Sequence, residues 1–275
     1  MNENVLISAR NVTKSFPAGG KKRHIAVNNV SLTMLRGETL SLVGESGCGK
    51  STLARLLMRL IEPDQGEISF DGKDISRLSE TAFRPYRKRI QMVFQDPASS
   101  LDPRKKVRDI IAEPLRVWKL CKNNKEIDSR VLELLEMVEL KESAINKYPH
   151  EFSGGQKQRI GIARAIATEP DLLICDESVS ALDVSVQAQI LNLLKRLKKD
   201  LGLSCLFISH DLSVVNFISD RVCVMKQGEI CETADVDSLY SNPTHEYTRY
   251  LLCAASEGSV RSTSEGSVSI PSIKN

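Results

Sequence analysis

No apolar run in this chain reaches the roughly 20 residues needed to cross a bilayer as a helix. The opening Met1-Asn2-Glu3-Asn4-Val5 carries no signal-peptide pattern. The seven cysteines are scattered without a Cys-x-x-Cys pair, which suits a reducing compartment and argues against structural zinc. Strong charge of either sign is also missing. With 38 Lys and Arg against 35 Asp and Glu, the net +3 is too small to imply a nucleic acid partner. The basic blocks Lys21-Lys22-Arg23 and Arg104-Lys105-Lys106 read as solvated loop charge. The 275 residues suffice for one large or two modest domains with an ample core. These absences fit a cytoplasmic enzyme subunit.

What is present is more specific. Gly44-Glu45-Ser46-Gly47-Cys48-Gly49-Lys50-Ser51-Thr52 comes after the apolar run Thr39–Val43 and opens a helix-like stretch, Thr52–Leu60. This is the nucleotide-binding P-loop pattern in its expected strand–loop–helix setting. Glycines let backbone N–H groups turn inward around phosphate oxygens, and the next helix points its positive end at the same anion. Lys50 supplies a full charge for the outer phosphates, and the Ser51 hydroxyl is suited to Mg²⁺. Cys48, beside Lys50 at a helix start, is expected to favour its thiolate and to be the most readily alkylated cysteine.

Strand-like segments at Glu38–Val43, Ile90–Phe94, Leu172–Cys175, Ser204–Ser209 and Arg221–Met225 alternate with helix-like ones, as in a parallel α/β sheet. Between about Val107 and Pro149 the pattern turns helical, and Ile127–Leu140 places Val131, Leu134, Leu135 and Val138 on one face. This predicts a helical insert within the α/β domain. At the end, Ser256-Glu257-Gly258-Ser259-Val260 recurs as Ser264–Val268, and a Ser/Gly-rich tail over 256–275 is expected to lack order.

Two further strings carry chemistry. Leu172–Glu177 is an interior strand that delivers Asp176 and Glu177 to its carboxyl end, where open α/β sheets bind ligands. Asp176 suits the Mg²⁺ that Ser51 also touches, and Glu177 suits polarisation of a water attacking the γ-phosphate. Ser153-Gly154-Gly155-Gln156 ahead of the helix-like Ile160–Ala167 makes a second backbone anion cradle without a P-loop lysine, and so looks like half of a phosphate site.

Ser153–Gln156 resembles the signature motif of ABC ATPases, and the remaining motifs of that family stand in order over about residues 5–255. Phe16 falls where an adenine-stacking aromatic is found, although the insertion Ala18–His24 blurs its spacing. Gln95 resembles the Q-loop glutamine that contacts Mg²⁺ and the attacking water. Ser180-Ala181-Leu182-Asp183 resembles the D-loop, and Asp183 also suits a helix cap for Val184–Leu201. His210 resembles the switch histidine that senses the γ-phosphate. Phe152 departs from the family's usual leucine.

The resemblance implies an α/β P-loop core with an inserted helical subdomain, about 97–170, and an N-terminal antiparallel β region. It implies ATP and Mg²⁺, with ATP held between one P-loop and the signature motif of a second ATPase subunit docked head to tail. Gln95–Arg104, Ile111–Leu115, Ser241–Thr248 and Cys175–Gln187 resemble the peptide and nickel importer subfamily. Its members work with a paralogous ATPase subunit, two membrane permeases and an external solute-binding protein, at the cytoplasmic face of the membrane. Many bind an iron–sulfur cluster through C-terminal cysteines; this chain has Cys253 there, and no cluster is expected. Peptides or a nickel complex both suit the subfamily as cargo. A non-transport ABC ATPase fits less well, because this chain has neither two cassettes nor an interrupting coiled coil or zinc module.

Overall fold

The computed structural model describes residues 4–19 and 22–261. Ten strands run through it: β1 (Val5–Pro17), β2 (Arg23–Leu35), β3 (Thr39–Val43), β4 (Gln65–Phe70), β5 (Lys73–Asp74), β6 (Ile90–Val93), β7 (Leu172–Asp176), β8 (Ser204–Ile208), β9 (Arg221–Lys226) and β10 (Glu229–Asp235). The helices are α1 (Lys50–Leu57), α2 (Glu80–Arg89), α3 (Pro97–Ser100), α4 (Val107–Val117), α5 (Asn124–Met137), α6 (Gly154–Ile166), α7 (Val184–Leu201), α8 (Leu212–Ile218), α9 (Val236–Ser241) and α10 (Glu246–Arg261).

The strands sort into two sheets. One is antiparallel, in the order β2-β1-β4-β5, and the other runs β10-β9-β3-β8-β7-β6. In the second sheet β9, β3, β8, β7 and β6 are parallel, and β10 returns antiparallel at the edge. The parallel strands are mostly buried and largely apolar, as a sheet covered on both sides demands. Alternate residues go to opposite cores. Leu172, Ile174, Leu206 and Ile208 pack with α1 and the antiparallel sheet. Leu173, Cys175, Cys205 and Phe207 pack with the helices between α3 and α7.

All five sequence-predicted strands exist, with ends moved by a residue or so, and β7 keeps Asp176 within the strand. The face expected on 127–140 is buried: Ile127, Val131, Leu134, Leu135 and Val138 all lie in the helical core. α1 starts at Lys50 and stops at Leu57, because Arg59 takes a left-handed conformation (φ 52°) that ends the helix before Leu60. α10 carries the backbone through Arg261, six residues into the stretch expected to lack order; the rest of that stretch, 262–275, lies outside the described residues.

α9 and α10 close a third, smaller core with Val43, Val222 and Val224. The lead-in to α10 is tied down by Glu232 on β10. Its carboxylate accepts from the Thr244 N–H (2.8 Å), the Thr244 hydroxyl (2.7 Å) and the His245 N–H (3.0 Å). Burial alone would raise this carboxyl, but the polar groups of Thr248, Thr244 and His245 outweigh burial and hold it at about 2. A depressed acid stabilises the fold above its ordinary value of 4.5, and that contribution is lost as pH falls from 4.5 towards 2. Glu232→Gln is therefore expected to cost on the order of 2 kcal/mol near neutral pH. Denaturant titrations of both proteins should show the difference shrinking below pH 4.5; a gap that stays constant into acid would contradict the assignment.

Candidate functional site

The loop between β3 and α1 is pressed from two sides. Gly44 (φ 149°) and Gly49 (φ 110°) occupy backbone conformations that L side chains rarely adopt. A Cβ at Gly44 would collide with the Met225 carbonyl oxygen, and one at Gly49 with that of Ala26. Glu45, Ser46 and Gly47 remain exposed at the tip. Lys50 is 4% exposed, and its ammonium donates to the Gly44 and Glu45 carbonyls, both at 2.8 Å. A buried ammonium whose short bonds go to neutral carbonyls is suited to exchange them for an anionic oxygen, a stronger charge-assisted partner. Gly49 at the N-cap offers no side-chain acceptor, so the first N–H groups of α1 face the same place.

Three neighbouring strands deliver the acid groups and their partners. Asp176, at the end of β7 and 8% exposed, accepts from the Ser51 hydroxyl at 3.1 Å. Burial raises its carboxyl and the adjacent Glu177 charge adds to that, while Ser51 opposes both. Glu177 sits in a left-handed conformation (φ 45°), with its N–H donating to the Ile208 carbonyl of β8 at 3.0 Å. The Gln95 amide, just past β6, donates to Glu177 Oε2 at 3.0 Å, and His210 Nδ1, just past β8, lies 3.7 Å from Oε1. Strained backbone at a carboxylate fixed from two sides marks a site where orientation matters. Ser51, Gln95, Asp176, Glu177 and His210, separated by up to 159 positions (210 minus 51), thus meet at one sheet edge.

Beside the loop lies a cavity of about 370 Å³, lined among others by His24, Ala26, Ser46, Cys48, Gly228 and Tyr247. Phe16 pairs across the strands with His24, which places it next to this lining although it does not itself line the cavity. His24, Ala26, Gly228 and Tyr247 were not expected from sequence. They reach the loop through strand register and the C-terminal turn, which no local pattern marks.

The signature residues are arranged differently. Ser153 caps α6, accepting from the Gln156 N–H at 3.4 Å, and Gln156 Oε1 accepts from the Ser153 N–H at 3.1 Å. Gly155 is buried against Val186, where a Cβ would have no room, while Ser153, Gly154 and Gln156 lie nearer the surface. Among the described residues no hydrogen bond links 153–156 to 44–52. Asp183 caps α7 through the Val186 N–H at 3.0 Å, and also accepts from Ser185.

The oxygen donors Ser51, Asp176 and Gln95 fit Mg²⁺, which is content with one or two carboxylates when phosphates and water complete its shell. Among the described residues no group of three His, Cys, Asp or Glu could hold a metal by itself.

The chain is similar to several known proteins. The model of the ABC transporter family matches residues 27–180. An oligopeptide transport ATP-binding protein, OppF of Streptococcus mutans, is 50% identical over 256 residues, covering 93% of this chain and 83% of that protein. OppF of Bacillus subtilis is 54% identical over 230 residues (83% and 75%), and AppF of the same organism 52% over 258 (91% and 78%). Among solved structures, the cassette MJ0796, dimeric and bound to ADP and Pi, superposes with a TM-score of 0.76 at 32% identity, covering 84% of this chain and 99% of that one. The structure of cbiO1 from Clostridium perfringens gives 0.77 at 27% identity, covering 94% and 100%.

The structure opposes the expectation that Cys48 favours its thiolate. Its thiol is 8% exposed, and burial pushes it up by more than the nearby Lys50 ammonium (3.8 Å) pulls it down. The helix start and the lysine, considered alone, omitted desolvation. Cys253, by contrast, is exposed. Limited alkylation of the folded chain should therefore modify Cys253 at least about tenfold faster than Cys48, since thiolate fraction and access set the rate. Peptide mass mapping that found Cys48 modified first would restore the original expectation.

Proposed function

Because the chain belongs to the ABC transporter family, we propose that it is the ATP-hydrolysing subunit of an importer that carries oligopeptides across the cytoplasmic membrane. The observation that carries the catalytic part is the junction of Ser51–Asp176 with Gln95–Glu177–His210 on one sheet edge, next to a loop built for phosphate. The cargo rests on relatives at about half identity that are named oligopeptide transport ATP-binding proteins.

In this reading the phosphates of ATP lie along the N–H groups of 44–52, and Lys50 leaves its two carbonyls for phosphate oxygens. Ser51, Asp176 and Gln95 hold Mg²⁺, which neutralises phosphate charge. Glu177 orients the attacking water, and Gln95 and His210 keep its carboxylate aimed. Phe16 stacks on the base. Ser153, Gly154, Gly155 and Gln156, with Asp183, complete the site of a second, paralogous ATPase subunit in a head-to-tail pair, which accounts for an accessible signature motif without its own phosphate grip. Residues 1–255 form the cassette, with 97–170 as its helical subdomain.

Two permeases and an external solute-binding protein complete the machine. A groove of about 650 Å³ between α2, β6, α4 and α6, lined by Phe83, Phe94, Pro114 and Trp118 among others, receives a cytoplasmic helix of the permease. Phe94 and Val117 are exposed there, as a docking rim requires. Among the described residues no helix is long and apolar enough to span the membrane, and in this reading the partners hold the subunit at the cytoplasmic face.

Glu177→Gln should keep ATP binding within about threefold while hydrolysis by the assembled complex falls about 100-fold or more, the usual scale for a lost general base. Near-normal turnover would remove Glu177 from that role. Ser153→Ala should leave nucleotide affinity of the isolated subunit within about twofold yet lower hydrolysis in the complex about 100-fold, on the scale of a lost stabilising donor. Equal loss in both would put Ser153 in its own chain's site. Reconstituted complex should be stimulated by its binding protein loaded with short peptides, whereas stimulation by nickel-loaded protein alone would overturn the peptide assignment.

A further inference from the structure

The backbone of Glu45 is held on both of its sides. Its carbonyl accepts from Lys50, and its N–H donates to the Tyr247 hydroxyl at 3.2 Å. The two contacts differ in what ATP does to them. Phosphate oxygens compete with Gly44 and Glu45 for the single Lys50 ammonium, so the Lys50 strut is withdrawn when nucleotide arrives. What remains on the Glu45 carbonyl is the long bond from the Cys48 N–H, 3.3 Å. The Tyr247 contact does not involve Lys50 and survives the exchange.

Tyr247 is itself well fixed. It is 5% exposed, its ring lies under the Lys226 ammonium at 4.6 Å, and its N–H donates to His245 Nδ1 at 3.1 Å. The Glu232 carboxylate anchors the preceding Thr244 and His245. The turn between β9 and β10 grips the same loop elsewhere. Gly228 donates its N–H to the Cys48 carbonyl at 2.9 Å, and its own carbonyl accepts from Asn28 of β2 at 2.8 Å. The segment from Lys226 to Tyr247 therefore braces the loop at both Glu45 and Cys48.

We propose that Tyr247 is a positioning residue for ATP binding: its hydroxyl holds the Glu45 N–H in place, so that the phosphate cradle keeps its shape after Lys50 leaves its own loop. The assignment rests on 44–52 being the ATP site. It gives the C-terminal segment, which carries the Thr244-His245-Glu246-Tyr247 string, a task at the nucleotide rather than at the end of the fold only.

Tyr247→Phe deletes the hydroxyl and leaves the ring against Lys226 and the core of α9 and α10. In the full chain, titration with a fluorescent ATP analogue should show the dissociation constant rising about 3- to 10-fold, the worth of one hydrogen bond. In the assembled complex KM for ATP should rise in parallel while kcat stays within about twofold. A merely structural role would lower Tm without that split. Failure of the wild-type chain to bind the analogue would overturn the ATP reading and this proposal with it. Equal binding by wild type and Tyr247→Phe would overturn the Tyr247 assignment alone, and so would a change confined to Tm.

Discussion

Parallel pairing of β3, β8, β7 and β6 is the constraint on which the site depends. Parallel strands all end at one edge, so the segments leaving them are gathered there. Those segments carry the glycine loop with Lys50, His210, the Asp176-Glu177 pair and Gln95. None of these is near another in sequence apart from that pair; the ladder of backbone hydrogen bonds makes them neighbours. The sheet can be so ordered because its strands are largely apolar, with α1 and the antiparallel sheet on one side and α3 to α7 on the other. Burial on both faces also explains the electrostatics of the edge. Groups at strand ends are partly withdrawn from water, which raises Asp176 and leaves Lys50 tied to its own carbonyls until an anion replaces them.

Much of this was legible in the sequence, and for physical reasons. A buried parallel strand is a short, largely apolar run, so β3 and β7 announce themselves, and the loop after β3 and the carboxylates at the end of β7 are thereby placed at the carboxyl edge. Glycines at 44 and 49 stand where no Cβ fits, which is why the loop has a recognisable spacing. Val131, Leu134, Leu135 and Val138 keep the helical period and are buried together.

The rest was not legible because it depends on long-range approach. β10 and the turn at Gly228 are largely polar, and they take their positions from β9 and β2. Tyr247 reaches the loop from the start of α10, whose lead-in is tied down by Glu232. Cys48 misled because its sequence neighbours, a lysine and a helix start, pull its thiol down, while the burial that outweighs them is visible only in three dimensions.

In the proposed pairing of two subunits, residues 153–156 are a surface that is structurally complete and chemically incomplete. Its capping box satisfies the start of α6, and Gly155 packs on α7. The P-loop side is complementary, with a cation, a hydroxyl and two carboxylates in place. In the proposed mechanism the central group is the buried Lys50 ammonium, which phosphate would draw away from the Gly44 and Glu45 carbonyls. Calorimetric titration of the full chain with ATP and magnesium, comparing wild type with Lys50→Ala, tests that role most directly. The variant is expected to stay folded but bind at least about tenfold more weakly, the loss of a charge-assisted contact. Undiminished ATP affinity in a folded Lys50→Ala chain would contradict it.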